Sequence, residues 1–322
     1  MKPAVSILIP CFNAEHCVGD SIESALAQTW SDSEIIVFDD GSVDSSPEII
    51  RSFGDRIRFE SSLNQGAAMA RNRLLELARG EWLQYLDADD KLAPDKLRSN
   101  LEVVQSEPNV DVLVGPVEVE HLRRGAVRTR EIMPAHRFQG SVDSWRMLAL
   151  WELPQTGGPL WRRSALLDVG GWRKDQPCCQ EHELYLRLLM AGKKFTFTNF
   201  VGAVYRRFET GTLSTQDMPL VRRERLKIAA RLEAHLEATG GLTPERQWAI
   251  NQARFELARS AWPADRAEAR SIAATIRGGG NAFRPDGPAA PPTYQFFYRT
   301  FGFEVAERAA WMKRSFMSID PR

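Results

Sequence analysis

The chain lacks any surplus of charge: 42 Lys and Arg stand against 42 Asp and Glu. That balance excludes a nucleic-acid binder relying on overall positive charge, although local basic patches remain open. Its four cysteines (Cys11, Cys17, Cys178 and Cys179) show neither the paired spacing of a zinc site nor the density of a secreted disulfide scaffold. Reduced thiols in a cytosolic protein are expected, and the adjacent pair 178–179 is a poor candidate for a bridge. No uncharged run reaches the ~18 residues that a membrane helix needs. The sequence enters a strand at 4–9 without a basic n-region or cleavage site, so neither export nor membrane spanning is expected. After that strand stands Pro10-Cys11-Phe12-Asn13 rather than GxGxxG, against a dinucleotide oxidoreductase, and the Gly-rich, Arg-containing loop of a nucleotidyltransferase is missing from the same place.

What is present is an alternation of strands and helices in a chain of 322 residues, long enough for a large core and, by this reading, two units. Apolar runs at 5–9, 34–38, 57–59 and 81–86 read as strands, and residues 17–30, 47–53 and 67–78 read as helices. This spacing predicts parallel β-α-β crossovers in a sheet covered on both faces, with ligands at the carboxyl ends of the strands. Four polar clusters fall at those ends: Pro10–Asn13, Asp39-Asp40-Gly41-Ser42, Asn64-Gln65-Gly66 and Asp87-Ala88-Asp89-Asp90. The last is the most informative. Short Asp side chains offer oxygen ligands near the backbone and leave a divalent cation room for water and phosphate. A turn followed by a helix cap also fits the run, since Ala93-Pro94-Asp95 reads as a helix start. Asp90 is assigned to that helix start.

Residues 4–210 resemble, in order, the family 2 inverting glycosyltransferases with the GT-A nucleotide-sugar fold. The residues that carry the likeness are Val5–Glu15, Gln28-Thr29-Trp30, Val37–Asp44, Asn64-Gln65-Gly66, Ala70-Arg71-Asn72 and the acidic motif. The resemblance implies a nucleotide-diphosphate sugar donor, with a UDP-sugar favoured, and a divalent metal, Mn2+ or Mg2+. It implies that Asp40 hydrogen-bonds the base, and that Pro10, Cys11, Phe12, Asn13, Asn64, Gly66 and Arg71 border the nucleotide pocket. Asp87 and Ala88 would serve the donor, and Asp89 would be the metal ligand, with Asp87 as a second. Asp39 is expected to hold the loop. Arg71 reads equally as a surface arginine.

Residues 110–119 read as a strand and 120–137 as either a hairpin or a solvated loop. Thr156-Gly157-Gly158-Pro159-Leu160-Trp161 and 166–172, the end of a short helix, resemble the acceptor side of the family, giving Gly157, Gly158, Trp161 and His182 as acceptor-side residues. In the family a Glu-Asp pair before a leucine helix supplies the catalytic base. Here Gln180-Glu181 occupies that pair, so Glu181 takes the base position with one extra methylene, and the preceding acid is lost. Glu183 and His182 are neighbours that can substitute, and all three also suit a helix N-terminus.

The expected organisation is a catalytic domain at 1–215, with a nucleotide-sugar half at 1–115 and an acceptor half at 116–215. A helical region follows at 216–322, with a Gly/Pro-rich connection at 278–292. Its aromatic and basic segment 294–316 reads either as a peripheral membrane contact, which would suit a lipid-linked saccharide acceptor at the inner face of the membrane, or as a terminal helix packed back on the catalytic domain. A plain saccharide acceptor fits the same chemistry. The non-enzyme alternative is a degenerate nucleotide-sugar sensor or scaffold of the same fold.

Overall fold

The computed structural model describes residues 3–123, 126–134, 138, 141–208, 217–277 and 283–317, with side chains to 312. The chain divides into two compact units, Met1–Ser144 with Glu152–Asp217, and Trp145–Trp151 with Met218–Arg322.

The first unit opens with β1 (Val5–Cys11), α1 (Val18–Leu26), β2 (Ser33–Asp39), α2 (Ser46–Arg51), β3 (Arg58–Ser61), α3 (Ala67–Leu77) and β4 (Trp82–Tyr85). It continues with β5 (Lys91–Leu92), α4 (Lys96–Ser106), β6 (Val112–Val114), β7 (Val117–Arg123) and β8 (Ala126–Met133). After α5 (Ser144–Ala149) come β9 (Leu160–Arg162), α6 (Arg163–Asp168), α7 (Gln180–Met190), β10 (Phe195–Phe197) and β11 (Ala203–Phe208). A seven-stranded sheet has the order β10-β6-β9-β4-β1-β2-β3. β1 is an interior strand, next to the central β4 and parallel to both β2 and β4. Helices cover both faces, so Val5, Ile7, Leu8 and Ile9 are all fully buried, which is why the run is apolar without alternation. α1 turns Val18, Ile22 and Ala25 inward, as the 3.6-residue period predicts.

The mostly parallel sheet has one reversal, β9, antiparallel to both β4 and β6. The run 110–119, expected as one strand, is two strands in two sheets. Pro116 ends the first for want of a backbone N–H, and a Cβ at Gly115 would lie 3.1 Å from the Phe200 carbonyl oxygen. β7 then joins a second, four-stranded sheet, β5-β11-β7-β8. Of the alternatives for 120–137, the hairpin pairing forms, since β8 runs antiparallel along β7; positions 124–125 and 135–137 lie outside the described residues. Asp90 does not start a helix. It precedes β5, is 4 % exposed, and accepts from the Arg206 backbone N–H at 2.9 Å; α4 begins only after Asp95.

The second unit is helical: most of α5, then α8 (Met218–Ala238), α9 (Pro244–Ala261), α10 (Arg266–Ala274) and α11 (Pro292–Met317), the last broken at Gly302, whose φ is 80°. Thr243 and Asp265 cap α9 and α10 through backbone N–H groups three residues on, each cap worth about 1 kcal/mol. Phe255 of α9 is the hub of an aromatic core, with Phe283, Tyr294, Tyr298 and Phe303 at 5.5–6.4 Å between ring centres. Half of the aromatic segment therefore packs on the helices of its own unit. The other half does not: Phe296, Phe301 and Trp311 are 63 %, 56 % and 48 % exposed. Residues 278–282 of the expected connection lie outside the described residues.

Candidate active site

The strand ends of the large sheet are tied together by their own polar residues. Asn13 adopts a left-handed φ of 49°, its N–H donates to Ser42 Oγ at 2.8 Å, and its Oδ1 accepts from the Val43 N–H at 2.9 Å. Gly41 is also left-handed (φ 79°), and a Cβ there would meet the Asn64 nitrogen at 2.6 Å, so the loops after β2 and β3 touch only because this residue is glycine. Asp39 does hold its loop, with both oxygens accepting from the Ser42 N–H at 3.3 Å. Asp40, to which the resemblance gives the base, is also a clasp: its two oxygens accept from the N–H groups of Gln65 at 2.9 Å and Gly66 at 2.8 Å. Each carboxylate oxygen keeps a second lone pair for a ligand N–H. Asp40 lines a cleft of about 620 Å³ with Phe38, Gln65, Met69, Asn72 and Lys174. Among the other residues of the nucleotide-side set, Phe12 is half exposed and Asn13 and Asn64 are exposed, whereas Cys11 and Ala88 are buried.

At the end of β4 the carboxylates are used differently. Arg206 of β11, buried, donates from Nε to the Asp89 carbonyl at 2.5 Å and from a terminal nitrogen to Asp20 at 3.0 Å. The loop is thus held by its backbone while the Asp89 side chain makes no ion pair among the described residues. Burial, and next the Asp87 charge, push the Asp89 carboxyl up to about 6.

Arg71, from the buried face of α3, joins this loop to α7. One terminal nitrogen donates to Asp87 at 2.9 Å and the other to Gln180 Oε1 at 2.7 Å, while Glu181 Oε1 lies 3.7 Å away. The guanidinium sits 4.9 Å over the Trp172 ring and is 8 % exposed, which rules out the surface-arginine reading. Thr156 completes the set by donating its hydroxyl to Glu181 Oε1 at 2.5 Å. Gln180, read as a lost acid, is thereby a neutral acceptor that leaves the Arg71 charge to Asp87 and Glu181.

The four residues of the acceptor-side set are all buried. Trp161 is fully buried and stacked on Tyr185 at 5.1 Å, so it is core. His182 is 5 % exposed and edge-on to Tyr185, so its ring is packed in the interior. Glu183, a stand-in for the base by sequence, is fully buried and paired with Arg187 at 2.8 Å. Gly157 and Gly158 are buried in the turn behind Thr156. The sequence names Thr156 only as the first residue of the acceptor-side turn and Arg206 only within a basic rim at Tyr205-Arg206-Arg207; that one orients Glu181 and the other holds the Asp89 carbonyl is not marked by spacing.

Residues 6–163 match the family described as Glycosyl transferase family 2, and with the fold and strand-end motifs above this chain belongs to glycosyltransferase family 2. An uncharacterized glycosyltransferase of Haemophilus influenzae is 43 % identical over 103 residues, 31 % of this chain and 41 % of that protein. The first curated relatives are matched over about a third to a half of their own length. The structure of Staphylococcus aureus TarS 1-349 in complex with UDP-GlcNAc aligns with a TM-score of 0.57 at 14 % identity, covering 98 % of this chain and 92 % of that one. The mannosyltransferase PcManGT of Pyrobaculum calidifontis, in complex with GDP-Man and Mn2+, aligns with a TM-score of 0.51 at 17 % identity over 99 % and 89 %. At these identities the two structures establish the shared fold.

Among the described residues no group of three metal-ligating side chains forms. The carboxylates at the end of β4 that would hold a divalent cation are Asp89 and Asp87, with phosphate and water in the remaining positions. The upward shift of Asp89 comes from burial and the Asp87 charge, which the Arg206 and Arg71 charges only partly offset. No helix among the described residues is long and apolar enough to cross a membrane.

Proposed function

We propose that this protein is an inverting, metal-dependent glycosyltransferase that moves a sugar from a nucleotide-diphosphate donor to a hydroxyl of a saccharide or lipid-linked saccharide, in polysaccharide or glycan biosynthesis. The observation that carries this reading is the bridge made by Arg71, which gathers Asp87 on the donor side and Gln180-Glu181 on the other side around one buried cation. Glu181, oriented by the Thr156 hydroxyl, takes the proton of the acceptor hydroxyl, whose oxygen attacks the anomeric carbon as the bond to the diphosphate breaks. A Mn2+ or Mg2+ ion at Asp89 would neutralise charge developing on the leaving diphosphate. Asp40 and the Pro10–Asn13 loop border the base, with a UDP-sugar the favoured donor.

The same bridge favours an enzyme over a degenerate sensor or scaffold, since a sensor has no use for a carboxylate aligned on the far side of the donor. Incubation with a panel of UDP-, GDP- and dTDP-sugars and Mn2+, following release of the nucleoside diphosphate, tests it and identifies the donor. Binding without release from any of them supports the sensor. An anomeric configuration retained in the transferred sugar would remove the inverting mechanism.

The exposed half of the aromatic segment supports a peripheral contact with the inner face of a membrane through 294–316. Phe296, Phe297 and Phe301 stand in solvent beside Arg284 and Arg299, a combination suited to an anionic bilayer interface. Sedimentation of the full chain with anionic vesicles, lost in Phe296→Ser/Phe301→Ser, checks it; equal sedimentation of both proteins removes it.

A further inference from the structure

Beneath the turn that carries Thr156 lies a polar residue that the catalytic scheme does not use. α4 packs Leu97, Leu101 and Val104 into the main core, and on the same buried side it carries Lys96 and, one turn on, Asn100, both fully buried. The Lys96 ammonium donates to the carbonyl oxygen of Gly158. No carboxylate lies within ion-pair distance of it among the described residues, and burial pushes the amine down to about 7. Beside it Gln84 of β4, also fully buried, donates to the carbonyl of Gly157 at 2.9 Å and to that of Tyr85 at 2.7 Å. Two successive carbonyls of one turn are therefore held from the core side by side-chain donors on different elements.

The surroundings are shaped to this arrangement. A Cβ at Gly202 would run into Lys96 Cδ, so the backbone passes against the lysine stem as glycine. A Cβ at Gly158 would meet Pro154 at 2.5 Å, so the turn has no slack on its other flank. An unpaired buried ammonium destabilises a fold, and one carbonyl acceptor leaves two of its three donors unused. An apolar side chain of similar length would serve the core better, and such local inconsistencies collect at functional positions.

We infer that Lys96 is a positioning residue for the candidate base: together with Gln84 it fixes the Gly157 and Gly158 carbonyls and so aims the Thr156 hydroxyl at Glu181. The inference rests on the transferase reading above. It explains how a Glu can stand where the family has Asp, because its extra rotatable bond needs an external anchor, and Thr156 supplies one at 2.5 Å. A hydroxyl displaced by a fraction of an ångström would release the carboxylate to other rotamers, and misplacement on the scale of 1 Å costs up to about a hundredfold in rate.

The test uses the full chain and the variants Lys96→Met, which keeps the stem, and Lys96→Arg. Lys96→Met is expected to keep or raise the melting temperature, lower kcat about tenfold or more, leave the donor KM within about twofold, and have no further effect in a Glu181→Ala background. Unchanged kcat overturns the inference. So does a parallel fall in melting temperature and kcat that recurs in the Glu181→Ala background, the mark of a merely structural residue. Absence of turnover in the wild type would instead sink the transferase reading. The inference then stands or falls on a thermal cycle of Lys96→Met with Thr156→Val, where coupled shifts in melting temperature sustain it and additive shifts overturn it.

Discussion

Two strand ends of one sheet carry nearly the same letters, Asp39-Asp40 after β2 and Asp87-Ala88-Asp89-Asp90 after β4, yet they do opposite work. After β2 the carboxylates tie loops together: Asp39 and Asp40 accept from the backbone N–H groups of Ser42, Gln65 and Gly66, and only Asp40, in the cleft lining, keeps lone pairs for a ligand. After β4 the protein spends backbone and arginine to hold the loop, through Arg206 on the Asp89 carbonyl and Arg71 on Asp87, and leaves the Asp89 carboxyl raised by burial and by its neighbour. A carboxylate that accepts several N–H bonds is a fastener. One that is buried against a like charge is pushed toward its neutral form.

The largest effects should separate the two ends by what is lost. Asp89→Ala and Glu181→Ala are each expected to reduce transfer at least about a hundredfold, in the range of single catalytic groups, while the melting temperature stays within a few degrees of wild type. Steady-state nucleoside diphosphate release in Mn2+ measures it, and near-normal turnover by either variant removes that residue's assignment. Arg71→Met comes next. It leaves Asp87 and Glu181 facing each other without their common cation, so a loss of about ten- to a hundredfold in kcat is expected together with a raised donor KM. A change in stability alone would reduce Arg71 to a structural bridge.

Asp39→Asn inverts the pattern. Replacing the fastener weakens hydrogen bonds to a loop backbone at a position 2 % exposed, which should cost about 1–3 kcal/mol of unfolding free energy and leave kcat per folded molecule within about twofold. Urea denaturation read against turnover decides it. A hundredfold loss of kcat without loss of stability would make the two strand ends alike after all.

The sequence carries some of this difference and not the rest. Apolar runs of strand length and helices of clear period foretell β1 to β4 with their helices, because both faces of a parallel sheet are buried and the pattern is local. The break of 110–119 into two sheets was missed because Gly115-Pro116 can end a strand or merely bulge it, and only long-range pairing decides. Arg71 was legible as a candidate. That it bonds residues 16 and 109 positions away was not, since neither Asp87 nor Gln180 is marked as its partner by spacing. The burial of Trp161 and His182 was not legible for a related reason: adjacency to a glycine turn or an acidic helix start does not say which way a side chain faces. Lys96 was invisible, because a lysine in the first turn of a helix reads as solvated until the packing places it at zero exposure.

That lysine gives the smallest and most particular prediction. In the fold its amine is pushed down to about 7 by burial, against 10.5 in an ordinary setting. Below about pH 7 both folded and unfolded chains carry the proton, and the cost of the buried charge is present in full. Between about 7 and 10.5 the unfolded chain binds more protons than the folded one, so stability rises with pH as this cost is relieved. Subtracting the melting temperature of Lys96→Met from that of wild type at each pH cancels most other titrations. The difference should be most negative at pH 6 and climb toward zero by about pH 10, whereas a flat difference would mean that the amine has found a partner or water and that the turn before Glu181 is held by Gln84 alone.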